Sequence, residues 1–352
     1  MIHKLSIIGT SFLERIAPLC MIFDQISGDY GMSLGKAAIV GVGTIGRGWA
    51  LLYAKAGYRV SLFDPSVAAM DAALGAIATS LDDMAAFGLV RGRDKIMARI
   101  SIASTLRDAV ADAEIIQESA PESLDAKREA IAEIGREAAP LSIIASSCSS
   151  LLPADIFQDA AGPDRCIVAH PFNPPHLVPL VELLAGPATS DETIERTRAI
   201  MLQLDQAPII LRKPVPGYVA NRLQAAVINE SMHLVANGVI SPDDLDLCMT
   251  ESLGRRWAFL GPFATMDLNA DDGVAGYARR FREAYQELGR DLGVAEPWEE
   301  TAIAAVTEAC RARTPMLDLR SKREWRDRQL MWSLVRSRLG PRDDGTAAKE
   351  KA

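Results

Sequence analysis

Four histidines occur among the 352 residues, and one stands where its chemistry would be useful. His170 closes the apolar run Cys166–Ala169 and leads into Pro171-Phe-Asn-Pro-Pro175, a stretch too rich in proline for regular structure. Twelve residues further on, Glu182 interrupts an apolar segment, Leu180–Leu184. A carboxylate inside an apolar strand is costly unless it is paired. Set against an imidazole, it would fix the tautomer and stabilise the imidazolium formed when the other ring nitrogen takes a proton. Such a pair is suited to removing the proton of a hydroxyl group. A structural histidine beside an unrelated glutamate on an edge strand fits the same spacing. Of the other histidines, His176 is in mid-loop without a buried acid partner, His233 falls on a helix face, and His3 lies in an N-terminal extension.

The second chemical signal is a glycine pattern. Gly41-Val-Gly43-Thr44-Ile45-Gly46 follows the apolar run Lys36–Val40 and opens an apolar segment with helical spacing. Glycine has a separate use at each position: a tight turn at Gly41, close approach of backbone to a pyrophosphate at Gly43, and close helix-to-strand packing at Gly46. A helix starting there would direct unpaired N–H groups, with those of Thr44 and Ile45 first, at phosphates. The bare pattern is common. Its context is more specific: the next apolar run, Tyr58–Phe63, ends in Asp64, 18 residues after Gly46. An acid at that place would bond a ribose 2′-OH and repel a 2′-phosphate, which selects NAD over NADP. A solvated turn acid before Pro65 is the plainer alternative.

These groups need a scaffold. Strand-like runs at Ile100–Ala103, Glu114–Gln117, Ser142–Ala145, Cys166–Ala169, Leu180–Leu184 and Ala207–Leu211 alternate with helical stretches, one capped by Ser66 and another, Asp125–Glu137, rich in Ala, Glu, Lys and Arg. The alternation predicts a Rossmann-type α/β domain, a mostly parallel sheet with helices on both faces. After Lys213-Pro-Val-Pro-Gly217 nearly everything reads as helix: an apolar face of Val219, Leu223, Ala226 and Val227, a start at Ser241-Pro242, and stretches at Ala278–Leu288, Pro297–Arg313 and Lys322–Leu339. The expected organisation is an extension at 1–35, an NAD-binding domain at 36–215, an all-α substrate and dimerisation domain at 216–340, and a frayed tail at 341–352. Met32 sits four residues before the first strand, so residues 1–31 read as a misassigned start or a disordered extension.

Composition narrows the function further. With 38 basic against 46 acidic residues the net charge is −8, which argues against nucleic-acid or anionic-membrane partners. Cys20, Cys148, Cys166, Cys248 and Cys310 are odd in number and lack metal-ligand spacing, so the expectation is a reducing cytoplasm and no metal site. No apolar run is long enough to span a membrane.

Six ordered motifs resemble the signatures of the 3-hydroxyacyl-CoA dehydrogenase superfamily: Gly41–Gly46, Gln117-Glu-Ser-Ala-Pro-Glu122, Ser146-Ser-Cys-Ser-Ser150, His170–Pro175, Pro179-Leu-Val-Glu182 and Pro216-Gly-Tyr-Val-Ala-Asn-Arg222. Within it, Ser241-Pro-Asp-Asp-Leu-Asp-Leu247, Trp257-Ala-Phe-Leu-Gly-Pro262, Thr265-Met-Asp-Leu-Asn-Ala270 and Glu324-Trp-Arg-Asp327 are similar to the L-gulonate 3-dehydrogenase, or lambda-crystallin, branch. The resemblance spans roughly residues 36 to 340 and implies His170 as general base, Glu182 as its orienting partner, and Ser149 and Asn221 as donors to the reacting oxygen. On their own these last two read as a loop serine and a helix-surface asparagine. It also implies that Glu118 and Lys127 line the cofactor and substrate cleft, although Lys127 reads equally as a solvated helix charge. Cys148 and Ser150 depart from the usual residues, which bears on pocket detail.

The implied reaction is NAD-dependent oxidation of the 3-hydroxyl of a small hydroxy acid, L-gulonate first. Arg256, matching a branch arginine, would clamp a substrate carboxylate; a solvated interhelical arginine is the alternative. A 3-hydroxyacyl-CoA ester would require a basic groove. L-carnitine would favour an aromatic cage, with Trp257 as one possible wall. A catalytically idle, crystallin-like NADH-binding protein is the reading from another class. The resemblance further implies a homodimer through the helical domain.

Overall fold

The computed structural model describes residues 34–292, 298 and 300–339. The expectations for residues 1–31 and for the tail at 341–352 lie outside them. Eight strands form one sheet: β1 (Leu34–Val40), β2 (Tyr58–Phe63), β3 (Ile100–Ile102), β4 (Ile115–Glu118), β5 (Ile143–Ser146), β6 (Cys166–Pro171), β7 (Leu180–Ala185) and β8 (Ala207–Ile210). Their spatial order is β3-β2-β1-β4-β5-β6-β7-β8. Pairing is parallel from β3 through β6, and β7 returns antiparallel to β6. Between β1 and β4 the chain reverses its direction of travel across the sheet, the place where such sheets bind ligands beyond the strand carboxyl ends.

The central strands are apolar on both faces because helices cover both. Ala37, Ala38 and Ile39 of β1, Ile115 and Ile116 of β4, Ile143 and Ile144 of β5 and Ile167 and Val168 of β6 are all buried. The covering helices include α1 (Thr44–Ala56), α2 (Val67–Ala86), α3 (Leu124–Glu137) and α4 (Asp191–Gln203). Ser66, Ser123 and Ser190 cap the last three by accepting from Ala69 N, Ala126 N and Thr193 N. Helix α1 differs, since its N-cap is Gly43 and no side chain caps it. A serine cap would compete with any anion for the first-turn N–H groups, whereas glycine leaves them to a ligand.

Several expectations shift. Leu34 and Gly35 belong to β1 and not to an extension. The polar stretch at 88–94 ends in a short helix, Arg93–Met97. β6 runs through His170 and Pro171, so the proline-rich segment is regular for one residue longer than its composition suggests; Pro171 is paired with Val181. β7 lies between β6 and β8, so Glu182 is not on an edge strand.

Contacts divide the chain into two units. The first comprises, among the described residues, 34–147 with Ile156–Pro208; the second comprises Cys148–Asp155 with residues 209–339. The second unit is helical: α5 (Ala220–Ala236), α6 (Pro242–Glu251), α7 (Leu253–Trp257), α8 (Pro262–Asp267), α9 (Gly273–Asp291), α10 (Glu300–Arg313) and α11 (Leu319–Leu339). As read from Ser241-Pro242, α6 begins with a serine cap to Asp244 N and proline in its first turn. Residue 297, where the α10 stretch was expected to begin, lies outside the described residues. The apolar face of α5 is not buried within its unit: Leu223 is 63% exposed.

Burial has a chemical consequence at Cys166, the first residue of β6. Desolvation pushes its thiol up to about 12, because the buried thiolate would lose its hydration. Below that value the group stays a neutral thiol. Cys166 is therefore expected to resist iodoacetamide in the native protein at pH 8 and to react once guanidinium unfolds the chain, as read by peptide mass mapping. Native-state labelling of Cys166 would contradict this packing.

Candidate active site

In the first unit the glycine turn is held by backbone geometry. Gly41 adopts φ +93°, and a Cβ there would lie 2.6 Å from Ser119 O; both conditions exclude a side chain. A Cβ on Gly46 would lie 1.9 Å from Gly41 O, so α1 can start against β1 only if this residue is glycine. Gly43 is different, because beyond its own chain neighbours nothing lies within 4 Å of its Cβ position. Packing does not require glycine at that place, whereas close approach of a ligand's phosphates would. Thr44 is exposed and Ile45 half-buried at the first turn of α1.

Asp64 sits at the carboxyl end of β2 and does more than its sequence position implies. Its Oδ2 accepts from Val42 N at 2.9 Å, inside the glycine turn, and its Oδ1 accepts from Ser66 N at 2.9 Å. It is therefore a half-buried structural acid of the turn, and not a merely solvated one. Each carboxylate oxygen retains acceptor capacity for a hydroxyl. An uncapped helix start, a glycine that packing does not demand and an acid at the β2 terminus together fit an adenine dinucleotide with a free 2′-OH.

Glu118 and Lys127 form a buried pair. Lys127 is 1% exposed and Glu118 fully buried, with Lys127 Nζ 3.2 Å from Glu118 Oε1. The ammonium also donates to Ala120 O at 3.2 Å and lies 3.5 Å from Glu122 Oε2. Glu118 further accepts from Ala120 N at 2.6 Å and from Ser146 Oγ. The solvated reading of Lys127 is thus incorrect: α3 turns this side chain inward, and the hydrogen bonds offset the desolvation of both ions.

His170 and Glu182 meet across β6 and β7. They are direct partners in the antiparallel register, which places their side chains on one face of the sheet. His170 Nδ1 lies 2.9 Å from Glu182 Oε2, with the carboxylate fully buried and the imidazole nearly so. The carboxylate engages Nδ1 and so orients the ring. The ring also packs against Phe172 at a centroid distance of 5.3 Å.

In the second unit, Asn221 Nδ2 donates to Ser149 O at 3.0 Å. One amide N–H thus ties α5 to the 148–155 segment and leaves the second for another acceptor. Tyr218, absent from the sequence-based site, anchors the same segment: it is buried, has φ +54°, and its hydroxyl donates to Leu151 O at 2.7 Å. The signal available was an aromatic residue directly after Pro216-Gly217. Arg256 is exposed on α7 and has no ion pair among the described residues. Trp257, at the end of the same helix, is 41% exposed.

Comparison with known proteins follows this geometry. Residues 36–214 match the model of the 3-hydroxyacyl-CoA dehydrogenase NAD binding domain, and residues 217–305 match that of the 3-hydroxyacyl-CoA dehydrogenase C-terminal domain. Lambda-crystallin of Oryctolagus cuniculus is 38% identical over 298 residues, covering 83% of this chain and 93% of that protein. An L-carnitine dehydrogenase of a Pseudomonas species is 38% identical over 271 residues, 77% of this chain and 81% of that one. Among solved structures, an NAD-dependent dismutase, 5-formyl-3-hydroxy-2-methylpyridine 4-carboxylic acid 5-dehydrogenase, superimposes with a TM-score of 0.74 at 26% identity, covering 86% of this chain and 97% of that one.

Removing one member of a buried ion pair strands the other. Lys127→Met is expected to lower stability by about 3–5 kcal/mol, read as a fall in the urea midpoint at neutral pH. A midpoint within error of wild type would mean that Glu118 does not depend on this ammonium.

Proposed function

The chain belongs to the 3-hydroxyacyl-CoA dehydrogenase family, and from that premise we propose that it oxidises the 3-hydroxyl of a small hydroxy acid, L-gulonate to 3-dehydro-L-gulonate being the leading instance. It is an NAD-dependent 3-hydroxy acid dehydrogenase. The observation that carries the chemistry is the 2.9 Å bond between His170 Nδ1 and the fully buried carboxylate of Glu182.

His170 Nε2 takes the hydroxyl proton in this reading. Glu182 keeps the neutral ring's proton on Nδ1 and stabilises the imidazolium as it forms. The chemistry NAD supplies when bound is acceptance of the hydride from C3. Gly41, Gly43, Thr44, Ile45 and Gly46 hold the pyrophosphate, Asp64 the adenosine ribose, and the buried Glu118–Lys127 pair shapes the cleft wall beside β4. Ser149 and the second amide N–H of Asn221 bond the substrate oxygen as it becomes a carbonyl. Arg256 takes the substrate carboxylate.

The choice of L-gulonate is supported by the extent of likeness to lambda-crystallin together with the branch-like motifs of the helical unit. The likeness to an L-carnitine dehydrogenase keeps carnitine as the second substrate reading. The chain acts as a homodimer formed through the helical unit, which leaves Leu223, Phe259, Phe263 and Leu317 largely exposed; side chains of this size are costly to leave in water.

NADH formation with L-gulonate, L-carnitine and 3-hydroxybutyryl-CoA is expected to be fastest with L-gulonate. Turnover of the CoA ester alone would overturn the substrate assignment, and tight NADH binding without turnover of any 3-hydroxy acid would overturn the reaction. His170→Ala should lower kcat by roughly 10²–10⁴-fold with NADH affinity little changed, while Asp64→Ala should weaken NAD binding. Equal loss of cofactor affinity in both variants would remove the distinction between these roles.

A further inference from the structure

Ser147, the first residue after β5, is where three side chains distant in sequence converge. Its Oγ accepts from Trp49 Nε1 at 3.1 Å and from Gln117 Nε2 at 2.8 Å, and lies 3.0 Å from Ser119 Oγ. A hydroxyl has two lone pairs and one proton. Indole N–H can only donate, and the Gln117 amide donates here as well, so both lone pairs of Ser147 are taken. Its proton must then go to Ser119 Oγ. Gln117 bears the cost: its Oε1 is buried without a partner, and an orphaned carbonyl is better tolerated than an orphaned N–H. The hydrogen bonds therefore run in one direction, from Trp49 and Gln117 through Ser147 to Ser119. The proton of Ser119 cannot point back along this chain, which leaves it for another acceptor, and Ser119 itself is half-buried.

The place of Ser119 follows from the sheet. Ser119 N donates to Val40 O at 2.7 Å, and Ser119 O is the atom a Cβ on Gly41 would strike. Ser119 thus borders the glycine turn on the β4 side, whereas Asp64 borders it on the β2 side, with β1 between them. If the adenosine ribose lies at Asp64 and the pyrophosphate crosses the turn, the other half of the dinucleotide emerges on the β4 side.

We propose that Ser119 is a cofactor-binding residue whose hydroxyl, oriented by the Trp49–Gln117–Ser147 cluster, donates to an oxygen of the ribose on the nicotinamide side. This rests on the NAD-binding reading and extends it to a residue that neither the glycine motif nor the acid signal marks. Trp49, Gln117 and Ser147 act through it as positioning residues.

Titration of the purified full-length protein with NADH, ADP-ribose and ADP tests this. ADP-ribose keeps the second ribose without the nicotinamide, and ADP lacks both. Ser119→Ala is expected to weaken NADH and ADP-ribose alike by roughly three- to tenfold, the loss of one net hydrogen bond, with ADP affinity unchanged. Ser147→Ala keeps the Ser119 hydroxyl but releases its orientation, so NADH should weaken by a smaller factor and ADP again not at all. Unchanged NADH affinity in Ser119→Ala would overturn the proposal. So would an equal loss for all three ligands, and a loss confined to NADH would move the acceptor from the ribose to the nicotinamide. Wild-type NADH affinity in Ser147→Ala would overturn the orienting role. Failure of wild-type protein to bind any of the three would instead refute the dinucleotide reading itself.

Discussion

The pairing of His170 with Glu182 depends on one topological event, the antiparallel return of β7 beside β6 in a sheet that is otherwise parallel from β3 to β6. Parallel neighbours are offset by a crossover of a dozen or more residues, whereas an antiparallel return can set two residues only twelve apart directly opposite each other. Register then decides everything, since a slip of one residue would send one side chain to the other face. The flanking pairs Ala169 with Leu183 and Pro171 with Val181 hold that register with apolar contacts. A buried carboxylate needs a partner, and an imidazole that loses its carboxylate loses its defined tautomer. Each group makes the other's placement tolerable.

The same logic of obligatory partners governs the cofactor side. Glu118 ends β4 and is fully buried, so Lys127 is drawn inward from α3 to meet it. Asp64 ends β2 and is tied to Val42 N, so the acid that would meet a ribose also fixes the turn that would meet the phosphates. These contacts hold the strand ends and the turn in one arrangement before a ligand arrives, which lowers the ordering cost of binding.

What was legible in the sequence was the chemistry whose signals are local. Gly41, Gly43, Gly46 and Asp64 fall within one βαβ unit, and each has a steric or electrostatic reason that can be read from spacing. His170 and Glu182 were legible because a charged residue inside an apolar run demands an explanation. The burial of Lys127 was not, because composition averages over a helix whereas the direction of one side chain depends on which face meets the sheet. Nor was Ser147, whose partners Trp49 and Gln117 lie 98 and 30 residues away. Tyr218 is silent in the sequence for a similar reason: its partner, Leu151, is 67 residues distant, and an aromatic residue at positive φ has no simple sequence signature. The strand through Pro171 shows the opposite error, in which proline outweighed a register that the cross-strand partners enforce.

Burial is unevenly distributed between the two units, and this bears on how the helical one is stabilised. The first unit has a close-packed sheet core and places its buried charged side chains in pairs. In the second, helices α6 to α9 contribute no buried residue, while Phe259 and Phe263 are each 75% exposed. Helices gain most of their stability from packing an apolar face and not from propensity. A set of helices with apolar side chains exposed in this way draws less stability from burial than the sheet unit does. Ser149, Asn221 and Tyr218 are nevertheless held together within the unit by hydrogen bonds to backbone, so the local geometry around Ser149 rests on these polar contacts and not on the exposed apolar faces.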